Sequence, residues 1–179
     1  STAVKKEDNK TYAVLDTACA SACAGDGGME VHLNSLPEKF KHLVKSSPDG
    51  KRYVGIKGEP IGSGGRWRLP FGIRGKSFAG AWAKFIASKV PILFSWPQLG
   101  NMDAVIWVRA KKVDFRAYDL CDVPIEVDQK GHPRICISEC GKANAVKEVP
   151  AYVVKEEAQE QTYDDDGRWI RPKKPGHIM

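Results

Sequence analysis

A chain of 179 residues, 42% hydrophobic and with five tryptophans, is long enough to bury a core and too apolar to be disordered throughout. No run approaches the roughly 18–20 apolar residues of a membrane helix. The polar start "STAVKKEDNK" and an odd count of five cysteines point away from a secreted disulfide framework, towards reduced thiols and a cytoplasmic setting.

The net charge of +6 is unevenly placed. Residues 39–89 hold 12 Lys+Arg against 2 Asp+Glu, whereas residues 139–166 hold 3 against 8. A segment so biased predicts a polyanionic partner, either nucleic acid (or nucleoprotein) or an anionic membrane surface.

Residues 1–28 carry no sustained period and read as a flexible arm with one short strand or helix. The stretch "SLPEKFKHLVKSS" predicts a helix: Ser35 and Glu38 have capping-box spacing, and Leu36, Phe40, Leu43 and Val44 share one helical face. "SPDG" ends it with turn residues. "KRYVGIKG" alternates as a strand, and "RWRLPFG" reads as another, confined by Pro70 to a sheet edge or bulge. A second helix is expected over 77–89, capped by Ser77, with Phe78, Trp82, Phe85 and Ile86 on one face and Pro91 as its stop.

Beyond Pro91 the composition turns β-like. "PILFSW", "DAVIWVRA" and "KVDFRAYDL" are rich in β-branched and aromatic residues. "PIEVDQKGHPRICISE" predicts a hairpin with Ile125 and Val127 facing Ile135 and Ile137. "VPAYVVKE" reads as a last strand, and residues 156–179 as a charged tail. The expected fold is therefore α+β: an antiparallel sheet with two packed helices over residues 29–155, between arm and tail.

Gly75-Lys76-Ser77 ends like a nucleotide-binding loop. Such a loop needs a glycine six residues before its lysine, to supply an amide to the phosphates. Pro70 stands there, and it has no amide hydrogen. A nucleotide-dependent enzyme using Gly75-Lys76-Ser77 is accordingly the alternative reading, beside a shell, coat or adaptor subunit that does not touch nucleic acid. Arg66, Arg68, Arg74 and Lys76 alternate with Trp67, Phe71 and Phe78, a pattern suited to phosphate contact and base stacking. It is equally the pattern of a strand with an apolar face and a solvated one. The candidate phosphate contacts are Lys45, Lys51, Arg52, Arg66, Arg68, Arg74, Lys76 and Lys84, with Trp67 and Phe71 as candidate stackers.

Cys19, Cys23, Cys136 and Cys140 are candidates for a four-thiolate zinc site with His132 as a substitute ligand, but a three-residue gap differs from the two-residue gap of tight zinc knuckles. No metal or cofactor is assigned. His32, His42, His132 and His177 are scattered, no nucleophile motif accompanies them, and a non-enzymatic protein is expected.

The succession "MEVHL", "LPEKFKHLVKSS", "GKRYVGIKG" and the later "AVIWVRAKKVDF" resembles the folded domain of rhabdovirus matrix proteins, over residues 29–115. That resemblance implies a small α+β protein of the virion and host cytoplasm. Such a protein self-associates, condenses the nucleocapsid and binds the inner membrane surface. The acidic residues 156–166 are then a candidate contact for the basic segment of a neighbouring copy, in a head-to-tail homo-oligomer.

Overall fold

The computed structural model describes residues 10–55, 57–152 and 164–168. Helix and strand are both present and strand dominates. The long sheet uses β1 (Tyr12–Leu15), β2 (Cys23–Gly25), β3 (Lys45–Ser47), β6 (Ser63–Ile73), β7 (Lys76–Phe85), β8 (Leu93–Phe94), β12 (Glu126–Val127), β13 (Pro133–Cys136) and β14 (Lys147–Glu148). Its order is β12-β13-β1-β8-β2-β7-β6-β3, with β14 also on β7. A two-stranded sheet pairs β4 (Tyr53–Val54) with β5 (Pro60–Ile61), and a three-stranded one has the order β11 (Leu120–Pro124), β10 (Lys112–Phe115), β9 (Ala104–Trp107). The helices are α1 (Asp26–Ser35), the single turn α2 (Glu38–Lys41) and α3 (Trp96–Asn101).

The long sheet curls until its far strands meet. Gly72 of β6 bridges Ser138, just past β13, in parallel register. Gly72 N–H donates to Ile137 O at 2.8 Å, and Glu139 N–H donates to Gly72 O at 3.2 Å. Side chains of alternate residues therefore point inward: Ala13 and Leu15, Leu69, Phe71 and Ile73, Phe78 and Trp82, Phe94, and Ile135 and Ile137, all in one buried cluster. Phe71 stacks on Phe78 at 5.3 Å and meets Trp82 and Phe94 edge-on, each at 5.6 Å. Val113, Phe115, Leu120 and Val123 of the three-stranded sheet belong to the same core.

Several expectations are corrected here. Residues 77–89 form no helix; 76–85 are β7, the second arm of a long hairpin. Phe78 and Trp82, four apart, share a strand face as readily as a helix face. The turn settles the matter: Arg74 (φ 48°) and Gly75 (φ 82°) are both left-handed, as a two-residue hairpin turn between twisted strands requires. Of the helix expected from Ser35 only the single turn α2 forms; Ser35 itself is the last residue of α1, and Lys45–Ser47 are β3. Pro37 disfavours a helical conformation at Leu36, which is extended at φ −67°, ψ 136°. The Ser35 hydroxyl caps nothing and donates to His32 O.

The sheet is also mixed, not antiparallel, since β1–β8, β2–β7 and β14–β7 run parallel. Within the expected arm, residues 12–15 and 23–25 are strands of the sheet; residues 1–9 lie outside the described ones. The hairpin over 124–139 is present, with Val127 opposite Pro133 instead of an isoleucine. Of the expected last strand, residues 149–152 are not strand, which falls just before them at β14; residues 153–163 and 169–179 lie outside the described residues, and Asp164–Arg168 form a turn. α3, unforeseen, starts at a capping box: Ser95 Oγ accepts from Gln98 N–H while Gln98 Oε1 accepts from Ser95 N–H. Pro70 is tolerated because its nitrogen side faces away from β7, in the direction in which the Gly72 amide points, beyond the reach of β3.

Closure at Gly72 leaves no room for a side chain, since an added Cβ would lie 2.2 Å from Cys140 Cα. Gly72→Ala is expected to cost about 2–3 kcal/mol in urea unfolding. An unchanged midpoint would show that the seam does not hold the fold together.

Candidate polyanion interface

Alternation along β6 sends Trp67, Leu69, Phe71 and Ile73 towards the core and Arg66, Arg68, Pro70 and Gly72 outward. On β3, Lys45 lies opposite Arg68 and Ser47 opposite Arg66, so Lys45, Arg66 and Arg68 share one outer face. Lys51 and Arg52, both exposed, follow on the stretch into β4.

Carboxylates of the same molecule answer part of this charge. Arg68 Nε donates to Glu148 Oε1 at 2.9 Å, its Nη2 reaches the same oxygen, and Nη1 donates to Leu43 O at 2.7 Å. Asp49 accepts from the Tyr53 hydroxyl and from Lys51 N–H. The Tyr53 bond, with the charges of Arg66 and Lys51 close by, holds the Asp49 carboxyl below its ordinary range. Burial, reinforced by Asp49, pushes the Tyr53 phenol up to about 12. Tyr53 packs edge-on to Phe85 at 4.9 Å, which fixes the loop bearing Lys51 and Arg52 against β7.

The remaining candidates do not join this face. Lys84 lies on the other side of the hairpin, with Nζ 4.7 Å from the centre of the Trp67 ring. Arg74 is at the hairpin turn, eight residues and roughly 26 Å of strand from Arg66; its Nη1 donates to Cys121 O and Asp122 O. Phe71 is corrected as a stacker: it is fully buried, with 0% of its surface exposed. Trp67 is half-buried, covered by Lys84, and donates its indole N–H to Gly64 O at 2.9 Å.

Gly75-Lys76-Ser77 leads into a strand, and its polar groups are engaged within the chain. Gly75 N–H donates to Glu139 O, Lys76 Nζ to Tyr118 O at 2.7 Å, and Ser77 Oγ accepts from Gly141 N–H. A phosphate cradle needs those groups turned towards a ligand.

The cysteine pairs sit apart, with Cys19 and Cys23 at β2 and Cys136 and Cys140 at β13. Among the described residues no three potential ligands come together. Burial, with the Cys19 thiol alongside, pushes Cys23 up to about 12, and burial pushes Cys140 up to about 11. Both shifts oppose the thiolate a zinc ion needs. His132 Nδ1 lies 3.5 Å from Asp128.

One surface went unread in the sequence. At the β9–β10 turn Trp107 is 45% and Val108 82% exposed, and Arg109, Ala110 and Lys111 beside them are exposed as well. Lys112 lies over the Trp107 ring at 5.2 Å and pairs with Asp122. The signal was present in "WVRAKK", an apolar pair running into cations, but it reads as the end of a strand until the turn is seen. Among the described residues no helix is long and apolar enough to cross a membrane.

No protein-family model, curated protein or solved structure matches this chain.

The two candidate stackers are separable by stability. Phe71→Ala, which empties a fully buried site, is expected to cost about 3–5 kcal/mol. Trp67→Ala should cost clearly less. Equal losses in urea unfolding would contradict the difference in burial between Phe71 and the half-buried Trp67.

Proposed function

We propose that this chain is a non-enzymatic structural protein of viral matrix type that self-assembles and binds a polyanion, RNA or nucleoprotein, through the outer face of β3 and β6. The observation that carries the reading is the state of Lys45, Lys51, Arg52 and Arg66. They lie on or beside one face and none forms a salt bridge among the described residues. Arg68, already held by Glu148, orders the surface and contributes little net charge to it. Four released counterions would give single-stranded RNA binding a log–log salt slope of about −3. Self-assembly follows from the same asymmetry, the acidic residues 156–166 of one copy complementing the cationic face of the next.

The test is RNA binding by the full chain at increasing salt, compared with Lys45→Glu/Arg66→Glu, with sedimentation to follow assembly. Affinity is expected to fall with that slope in the wild type and by about tenfold or more in the double variant at low salt. Binding that ignores both salt and substitution contradicts the reading.

A second partner, an anionic membrane surface, is favoured by the exposed Trp107-Val108 turn. Burying a valine and part of an indole contributes about 1.5–3 kcal/mol each, and each nearby cation about 1 kcal/mol at an anionic leaflet. Val108→Asp is expected to reduce co-sedimentation with phosphatidylserine vesicles about fivefold or more, with neutral vesicles binding weakly throughout. Equal recovery of wild type and variant would remove the turn from any membrane contact.

A further inference from the structure

We propose that α1 is an acid-released element of the fold, let go from the sheet when His32 takes up a proton. The inference rests on the interior of the fold and not on the partner reading above.

α1 has little stability of its own. Gly27 and Gly28 fill its first turn, each costing about 1 kcal/mol relative to alanine. Gly25 at its N-cap offers no side-chain hydrogen bond. Ten residues fall short of the roughly 12–15 at which an isolated helix becomes even marginal. Val31 faces solvent at 61% exposure, so the apolar hold comes from Met29, with Leu33 partly buried. Two polar clamps do the rest. At the first turn, Asp26 accepts from Ala87 N–H at 2.8 Å and Ser88 N–H at 3.3 Å. At the last turn, His32 is fully buried and joins α1 to two other segments.

Both ring nitrogens are hydrogen-bonded in the neutral form. Nε2 lies 2.8 Å from Pro70 O, and a carbonyl accepts only, so Nε2 carries the proton. Nδ1 then accepts from the Thr11 hydroxyl at 2.7 Å. A proton on Nδ1 can be met by rotation of that hydroxyl; among the described residues no carboxylate faces the ring to meet the resulting charge. The chain entering β1 presents the Thr11 hydroxyl, with Lys10 and Tyr12 as its flanking ionisable groups. β6 presents the Pro70 carbonyl, with Arg68 two residues away and occupied by Glu148, and Cys140 lies across Gly72. On α1 itself, Glu30 is exposed. Burial lowers the His32 pKa from its ordinary 6.5, offset only in part by the Pro70 bond, and among the described residues no charged neighbour counters it.

The sign follows directly. A histidine whose folded pKa is depressed contributes stability that is present above pH 6.5 and is lost as pH falls through and below that value. Asp26, whose carboxyl is held below 3.8 chiefly by the Ala87 amide, lets go only in stronger acid. Between those limits His32, and not Asp26, is the clamp on α1 that changes. Release of α1 frees the Pro70 carbonyl on the β6 edge that faces away from β7.

Hydrogen exchange on the full chain at pH 7.5, 6.5 and 5.5, corrected for intrinsic rates, tests this. The amides of residues 29–35 should lose protection by about tenfold per pH unit below 6.5, while the β6–β7 hairpin keeps its own. An NMR titration of the His32 ring in the wild type should give a pKa below 6.5. His32→Gln, if it folds, should remove the pH dependence. Protection of α1 that is independent of pH, loss shared equally with the hairpin, or a His32 ring titrating at or above 6.5 would each overturn the proposal.

Discussion

Gly72 is where the long sheet becomes a closed wall. The chain leaving β13 lies across it so closely that any side chain would displace Cys140, and both backbone groups of Gly72 are used by residues 137 and 139. Closure removes the free edge that β6 would otherwise have at that end and gives the sheet an inside. The aromatic cluster of Phe71, Phe78, Trp82 and Phe94 fills that inside, its rings offset or edge-on to one another. Once β6 is fixed in this way, its even-numbered residues have nowhere to point except outward.

The fate of the basic segment follows. Charged groups cannot share the aromatic interior, so Arg66 and Arg68 emerge on one side with Lys45 across from them, while Lys84 lies over the rim of the interior against Trp67. Arg74 is drawn towards carbonyls of β11 and Lys76 towards the Tyr118 carbonyl in the turn before it, and both help hold the three-stranded sheet in place. One run of cations thus serves two purposes. Those on the β3–β6 face, Arg68 apart, form no salt bridge among the described residues, and those near the hairpin turn tie β6 and β7 to the segment at 118–122. Exposed pairs such as Arg68–Glu148 contribute about 1 kcal/mol or less in such settings, so their effect is on orientation more than stability.

Legibility in the sequence followed the physics of period and pairing. β9, β10 and the 124–139 hairpin were readable because β-branched residues alternate there around turn residues. β7 was misread because a four-residue spacing of Phe78 and Trp82 satisfies both periods, and only the left-handed Arg74-Gly75 turn decides between them. The helix start at Ser35 failed on Pro37, whose effect on the preceding residue outweighed the capping spacing. α3 carried its signal openly, in Ser95 and Gln98, under a run that looked like strand. The site was legible as a charge total but not as a surface. Arg68 meets Glu148 across 80 residues of chain, and no local pattern announces such a pair.

The central claim is that the cations of β3 and of the adjoining part of β6 form the working face, and that those at the hairpin turn do not. NMR perturbation of the full chain by a short uridine oligonucleotide measures this residue by residue. The account predicts shifts at Lys45, Lys51, Arg52 and Arg66, with Arg74, Lys76 and Lys84 unmoved. Shifts confined to Arg74, Lys76 and Lys84, or none on the β3–β6 face at saturating oligonucleotide, would contradict it.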